Sequence, residues 1–89
     1  LHQNYPNPFN PSTQISFDVP QGMENVTLNI YNILGKNVNT LVNDMLSPGR
    51  YTMEWDANDY EGNSVESGIY FYELRSSTFI ARKKMLLIR

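Results

Sequence analysis

The chain has 89 residues, 40% of them hydrophobic and 18% charged, with no cysteine and a formal net charge of −2. A chain of this size buries only about 60–65% of the surface its unfolded form exposes, which permits one small core and argues against a deep enzyme pocket. Without cysteine, disulfide staples and thiolate zinc sites are excluded, and no apolar run approaches the roughly 20 residues needed to span a bilayer as a helix.

The chain starts at Leu1 without Met, as a fragment of a larger parent would, and the residues that follow are polar rather than the hydrophobic segment of a signal peptide. Prolines at positions 6, 8 and 11 each fix φ and steer the preceding residue away from helix. Residues 1–11 are therefore expected to form an extended, stiff connector, with Tyr5 and Phe9 tucked against a folded domain over residues 12–89. From there, alternation at period two dominates, the pattern of half-buried strands. Ile15, Phe17 and Val19 alternate with Ser16 and Asp18 in a first strand that ends at the Pro20-Gln21-Gly22 turn. Val26, Leu28 and Ile30 make a second; after a turn at Leu34-Gly35, Asn37 to Val42 returns as a third with Val38 and Val42 on one face. Ser47-Pro48-Gly49-Arg50 suits a type II turn, since proline presets the first central φ and glycine accepts the positive φ at the second.

Tyr51, Met53 and Trp55 give a fourth strand a bulky inner face. Asp56 to Asn63 is a polar loop, Ser64-Val65-Glu66 at most a short strand, and Gly68 a bend before Ile69 to Arg75. Tyr70, Tyr72 and Leu74 are placed inward, because the opposite phase puts Glu73 inside. Phe79 to Ile88 pairs with that strand across a hairpin at Ser76-Ser77-Thr78. With no persuasive helical period anywhere, the pattern predicts an all-β, Ig-like antiparallel β-sandwich of about seven strands without a disulfide.

The net charge conceals an asymmetry. Residues 1–73 carry all nine acidic side chains against Lys36 and Arg50, a balance of −7, whereas residues 74–89 carry Arg75, Arg82, Lys83, Lys84 and Arg89 and no acid, a balance of +5. A basic last strand can steer the domain toward an acidic partner. It also guards an exposed edge strand against aggregation, while leaving room for a weak edge-strand homodimer. Asp56, Asn58, Asp59 and Glu61 gather oxygen atoms on one loop and raise the question of calcium. Their spacing fails the EF-hand pattern, with Gly62 seventh and Ser67 twelfth counted from Asp56, and a turn held by Asx hydrogen bonds accounts for the same residues.

Catalytic arrangements lack parts. The sole histidine is His2, beside a terminus expected to be mobile, and the five glycines are isolated rather than grouped into a phosphate loop. Nucleic-acid binding is disfavoured by the negative net charge and by a basic strip with no interleaved aromatics. Trp55, alternating with Tyr51 and Met53, reads as core rather than as a sugar-binding face. These residues describe a protein that is not an enzyme, with no cofactor and no small-molecule substrate.

Three segments in order resemble one family: Asn4-Tyr5-Pro6-Asn7-Pro8-Phe9-Asn10-Pro11, Trp55-Asp56 through Tyr70-Phe71-Tyr72, and Lys83-Lys84-Met85-Leu86-Leu87-Ile88-Arg89. The family is the type A C-terminal sorting domain of proteins exported by the type IX secretion system. Val26 to Lys36 and Ser47 to Tyr51 are similar to its intervening turns, so the resemblance covers nearly the whole chain. The Ig-like domain of flagellar hook-capping proteins shares the Leu34-Gly35 turn and the stretch from Trp55-Asp56 to Gly68-Ile69-Tyr70; the opening and terminal motifs favour the sorting domain. The tail carries Ile88-Arg89 where Leu-Lys is frequent in the family, which conserves an apolar residue followed by a base.

The resemblance implies a non-catalytic sorting signal covalently linked to an upstream cargo domain. Its implied partners are the type IX translocon and the system's cell-surface peptidase, and the implied route runs through the periplasm to the cell surface or the medium. Recognition would fall to Lys83, Lys84, Met85, Leu86 and Leu87, with Pro6, Pro8 and Phe9 second. The alternative from another class is an Ig-like binding or spacer module of a multidomain secreted enzyme or adhesin.

Overall fold

The alternating segments form six strands in the structure, a computed structural model that describes residues 1–21 and 24–89, with the backbone alone of Glu24. They are β1 (Thr13–Val19), β2 (Glu24–Tyr31), β3 (Asn37–Leu46), β4 (Gly49–Trp55), β5 (Gly68–Arg75) and β6 (Ile80–Leu87). One antiparallel sheet pairs β1 with β4, and the other runs β3-β2-β5-β6. The two stack as the expected all-β, Ig-like sandwich without a disulfide, built from six strands in place of about seven.

The absent strand is the segment at Ser64-Val65-Glu66. Ser64 forms an isolated bridge with Asn58, the Val65 N–H goes to the Ala57 carbonyl at 2.9 Å, and the Val65 carbonyl takes the Arg89 guanidinium at 2.7 Å. The Glu66 carbonyl accepts the Tyr70 hydroxyl at 2.6 Å. The Val65 N–H and the Val65 and Glu66 carbonyls are thus taken by the loop, the last residue and β5 rather than by a ladder.

Period-two burial holds where it was read. Ile15, Phe17 and Val19 of β1, Val26, Leu28 and Ile30 of β2, and Tyr70, Tyr72 and Leu74 of β5 are all in the core. Each such side chain contributes about 1.5–3 kcal/mol by leaving water. Trp55, at the end of β4, spans the two sheets: its ring meets Tyr70 edge-on at 5.3 Å, and its Nε1 donates to the Asn58 carbonyl at 2.9 Å. Val38 and Val42 pack toward the core as expected, and two register shifts against β2 carry β3 on to Leu46, past the point where its alternation fades.

The turn before β3 follows from two residues. Asn32 Oδ1 accepts the N–H groups of Leu34 at 2.9 Å and Lys36 at 3.0 Å, while Gly35 takes a φ of 82° that a side chain would resist. At Ser47-Pro48 the expected type II turn does not form, because β3 and β4 belong to different sheets and the chain steps between layers. Gly49 has a φ of 149° rather than the roughly +80° of a type II turn. Gly22 of the Pro20-Gln21-Gly22 turn lies outside the described residues.

Candidate recognition site

Residues 1–11 lie along the edges of both sheets. The His2 N–H donates to the Ser16 carbonyl at 3.0 Å, and Tyr5 and Gln14 exchange both backbone bonds at 3.0 and 2.9 Å, so this part of the segment flanks β1. The chain then crosses to the other sheet. The Phe9 N–H donates to the Leu86 carbonyl and the Ile88 N–H to the Phe9 carbonyl, both at 3.0 Å, with Phe9 running parallel to Leu87. Gln3 Nε2 donates to the Lys84 carbonyl, and Asn7 Oδ1 accepts the Leu86 N–H, again at 3.0 Å. The segment is bent rather than extended, with cis peptide bonds before Pro6, Pro8 and Pro11. The opening and closing motifs of the sequence are therefore one unit, stapling the edge of β1 to the edge of β6.

A buried polar cluster secures the staple. Tyr72, in the middle of β5, accepts the Asn4 N–H and donates to the His2 carbonyl, each at 2.8 Å. Asn4 is 3% exposed; its Nδ2 donates to the Pro6 carbonyl and to Thr13 Oγ1 at 3.0 Å, and Thr13 donates to the Pro6 carbonyl at 2.9 Å. Burial pushes the Tyr72 phenol up, partly offset by the bond from Asn4. Among the described residues, no buried side-chain polar atom lacks a partner, as a structure must arrange if such groups are not to cost about 1–3 kcal/mol each.

The residues singled out from the sequence divide by burial. Phe9, Met85 and Leu87 are core, with the Phe9 ring 5.8 Å from Trp55. Lys84, Leu86, Pro6 and Pro8 are exposed, and Lys83 is half-buried. On the folded domain a partner can touch the second group, whereas the first acts through the fold. Asn7, Lys84 and Leu86, with Ile69 and Met85, line a shallow groove of about 250 Å³ where the two motifs meet. Tyr5 does not tuck in as expected: its backbone pairs with Gln14 while its side chain is 80% exposed.

Charge on the outer face of the larger sheet centres on Glu73. Tyr70, Tyr72 and Leu74 point inward as read, yet Glu73 on the opposite face is also buried, at 3% exposure. Arg82, opposite it on β6, covers it through Nη2 at 2.7 Å and Nε at 3.2 Å, and Arg75 Nε donates from 3.2 Å. Burial pushes the Glu73 carboxyl up, but the bonds and charges of Arg82 and Arg75 outweigh it and hold the group low. The Arg82 guanidinium also lies 5.4 Å from the Tyr31 ring centre and 5.9 Å from that of Phe71. No ion pair among the described residues involves Lys83 or Lys84.

Two further sequence readings are refined. His2 is held rather than mobile, since its Nε2 lies 2.8 Å from Asp18 and 3.1 Å from Arg50 Nη2, and Arg50 Nε donates to Asp18 at 3.0 Å. The Asp56, Asn58, Asp59 and Glu61 loop is an Asx turn, with Asp59 Oδ1 accepting the N–H groups of Glu61 and Asn63. Among the described residues, no group of three or more acids or histidines is placed to hold a metal ion. Arg89 carries a role the sequence did not signal: Nε donates to the Val65 carbonyl, Nη2 to the Ala57 carbonyl at 3.1 Å, and its backbone N–H to Ser67 Oγ at 3.0 Å.

Comparison with known proteins follows the sandwich. The FlgD Ig-like domain family matches residues 4–78, a span that includes the Asn-Pro segment and β1 to β5. The crystal structure of FlgD from P. aeruginosa superposes with a TM-score of 0.65 at 25% identity, covering 84% of this chain and 57% of that one. PorZ, described as an essential bacterial surface component of the type IX secretion system of Porphyromonas gingivalis, superposes with a TM-score of 0.68 at 18% identity. That likeness covers 98% of this chain and 11% of PorZ, so the chain corresponds to one part of a much longer protein. No curated protein matches the chain.

Proposed function

The chain belongs to the FlgD Ig-like domain family, and from that premise we propose that it is a non-catalytic C-terminal sorting domain, directing a linked upstream cargo through the type IX secretion system to the cell surface or medium. The observation that carries this reading is the union of the two end motifs: the Asn-Pro segment and the terminal basic strand, which together resemble the sorting-domain pattern, share one edge through backbone bonds at Phe9, Leu86 and Ile88. Pro6, Pro8, Lys84 and Leu86 then form the surface presented to the translocon, with Lys83 at its rim. The PorZ likeness supports a cell-envelope setting connected with secretion, through fold alone. The proposed partners are the translocon, the cell-surface peptidase and the cargo.

Export of a signal-peptide-bearing reporter fused upstream of Leu1 tests this, in a host with a working type IX system and in one lacking the translocon. Deleting residues 83–89 would also remove Met85 and Leu87 from the core, so Lys84→Glu and Leu86→Ser, both at exposed positions, carry the test. The expected result is surface or medium localisation that vanishes in the deletion host and falls with either variant. Reporter trapped in the periplasm of both hosts, with the domain folded, leaves an Ig-like binding or spacer module as the better reading.

A further inference from the structure

The edge of β6 is covered along half its length only. The Lys84 and Leu86 carbonyls and the Leu86 and Ile88 N–H groups point away from β5 and are taken by residues 3–9. By strand alternation, the N–H groups of Ile80, Arg82 and Lys84 and the carbonyls of Ile80 and Arg82 face the same way. Among the described residues no hydrogen bond reaches them. Beside this open stretch stand Lys83 and Lys84, which pair with no carboxylate among the described residues, while Arg82 is committed to Glu73.

We propose that the β6 edge from Ile80 to Lys84 accepts an extended acidic segment of a partner protein as an added strand. Backbone groups at these three residues supply the ladder and give affinity, as in other strand-addition complexes. Charge selects the occupant. A second copy pairing through β6 would set Arg82, Lys83 and Lys84 against their own counterparts, and like charges facing across a ladder are destabilising. The same charges that blunt the edge against self-association become attractive when carboxylates stand opposite Lys83 and Lys84. The proposal stands on the edge alone and does not rest on the sorting role.

Amide exchange measured on the whole 89-residue chain tests it, with a short peptide of Val and Thr carrying two adjacent glutamates as the probe, because neighbouring residues of a strand face opposite ways, as Lys83 and Lys84 do. The expected result is that exchange at Ile80, Arg82 and Lys84 slows roughly tenfold or more at saturating peptide and that added salt reverses the effect. Ile80→Pro removes one outward N–H at the first residue of the strand, a position that tolerates proline, and should weaken binding roughly tenfold. The Lys83→Gln, Lys84→Gln double variant, which breaks no ion pair among the described residues, should lose binding as well. Equal binding by an acidic peptide interrupted with prolines overturns the proposal, since charge alone then suffices. So does slowing that follows protein concentration without peptide, which assigns the edge to a second copy, or unchanged exchange at all three amides.

Discussion

The hydroxyl of Tyr72 and the backbone N–H of Asn4 are 2.8 Å apart, joining the middle of the larger sheet to the fourth residue of the chain. The same hydroxyl donates to the His2 carbonyl, so one buried phenol anchors two residues of the segment that covers both sheet edges. Tyr72→Phe keeps the packing and removes both bonds. It leaves a donor and an acceptor short of partners and should cost about 1–3 kcal/mol in urea unfolding. Exchange at Asn4 and Phe9 should accelerate more than at Leu28 or Leu74, because the staple loosens before the sheets do. Uniform acceleration across all four amides would show that the segment is not held separately.

Phe9 and Pro8 are neighbours with opposite roles, since one is 2% exposed against Trp55 and the other is on the surface. Phe9→Ala should cost about 3–5 kcal/mol through the cavity it leaves, and Pro8→Ala about 0.5 kcal/mol or less. In the reporter assay, both losing export while only Phe9→Ala loses stability would separate folding from recognition. If Pro8→Ala unfolds the domain to the same extent, the division by burial is wrong.

Acid should weaken the fold through Asp18. Bonds from Arg50 and then His2 hold its carboxyl at about 2, below the ordinary 3.8. A carboxyl lowered in the folded state adds stability that is fully present above its unfolded value and is lost as pH falls through the folded one. The melting temperature should therefore drop between pH 3.8 and about pH 2, by a modest amount because the cluster is exposed and screened. Glu73, also held low, loses its contribution in acid too, so Asp18→Asn isolates the surface cluster. The wild-type and variant curves should converge as pH falls; parallel curves would show that the Arg50 and His2 contacts add nothing.

The strands were legible because each buries one face against a small core, and that requirement writes period two into Ile15-Phe17-Val19 and Tyr70-Tyr72-Leu74. The turn at Leu34-Gly35 was legible for a similarly local reason, glycine's positive φ after an Asn that caps two amides. What could not be read depends on partners far along the chain. Glu73 is buried because Arg82, nine residues later, covers it, and periodicity carries no sign of such a cover. The docking of residues 1–11 rests on the Phe9 and Tyr72 contacts across the chain. The signal that pointed to it was Phe9 itself, a large apolar side chain in a segment otherwise rich in Asn and Pro. Of the candidate recognition residues, the motif gave the positions, and for those on β6 the alternation decides which face outward.

Arg89 supplies the last case, in which a terminal base acts on structure. Its side chain donates to the carbonyls of Val65 and Ala57, and its N–H donates to Ser67, so it closes the 57–67 loop from outside. The Val65 N–H is bonded in turn to the Ala57 carbonyl, which makes that oxygen a shared acceptor for loop and terminus. Arg89→Ala removes two charge-assisted bonds at a largely exposed site, where water can replace them, and should cost about 1 kcal/mol or less in global unfolding. Locally the effect should be larger. Exchange at Val65 should quicken severalfold while that at Tyr72 and Leu74 stays unchanged, because the loop opens independently of the sheets. Arg89→Lys, which keeps the charge but not the two-pronged geometry, should recover only part of the protection. Full recovery by lysine would mean that charge alone, rather than the fork between Val65 and Ala57, holds the loop.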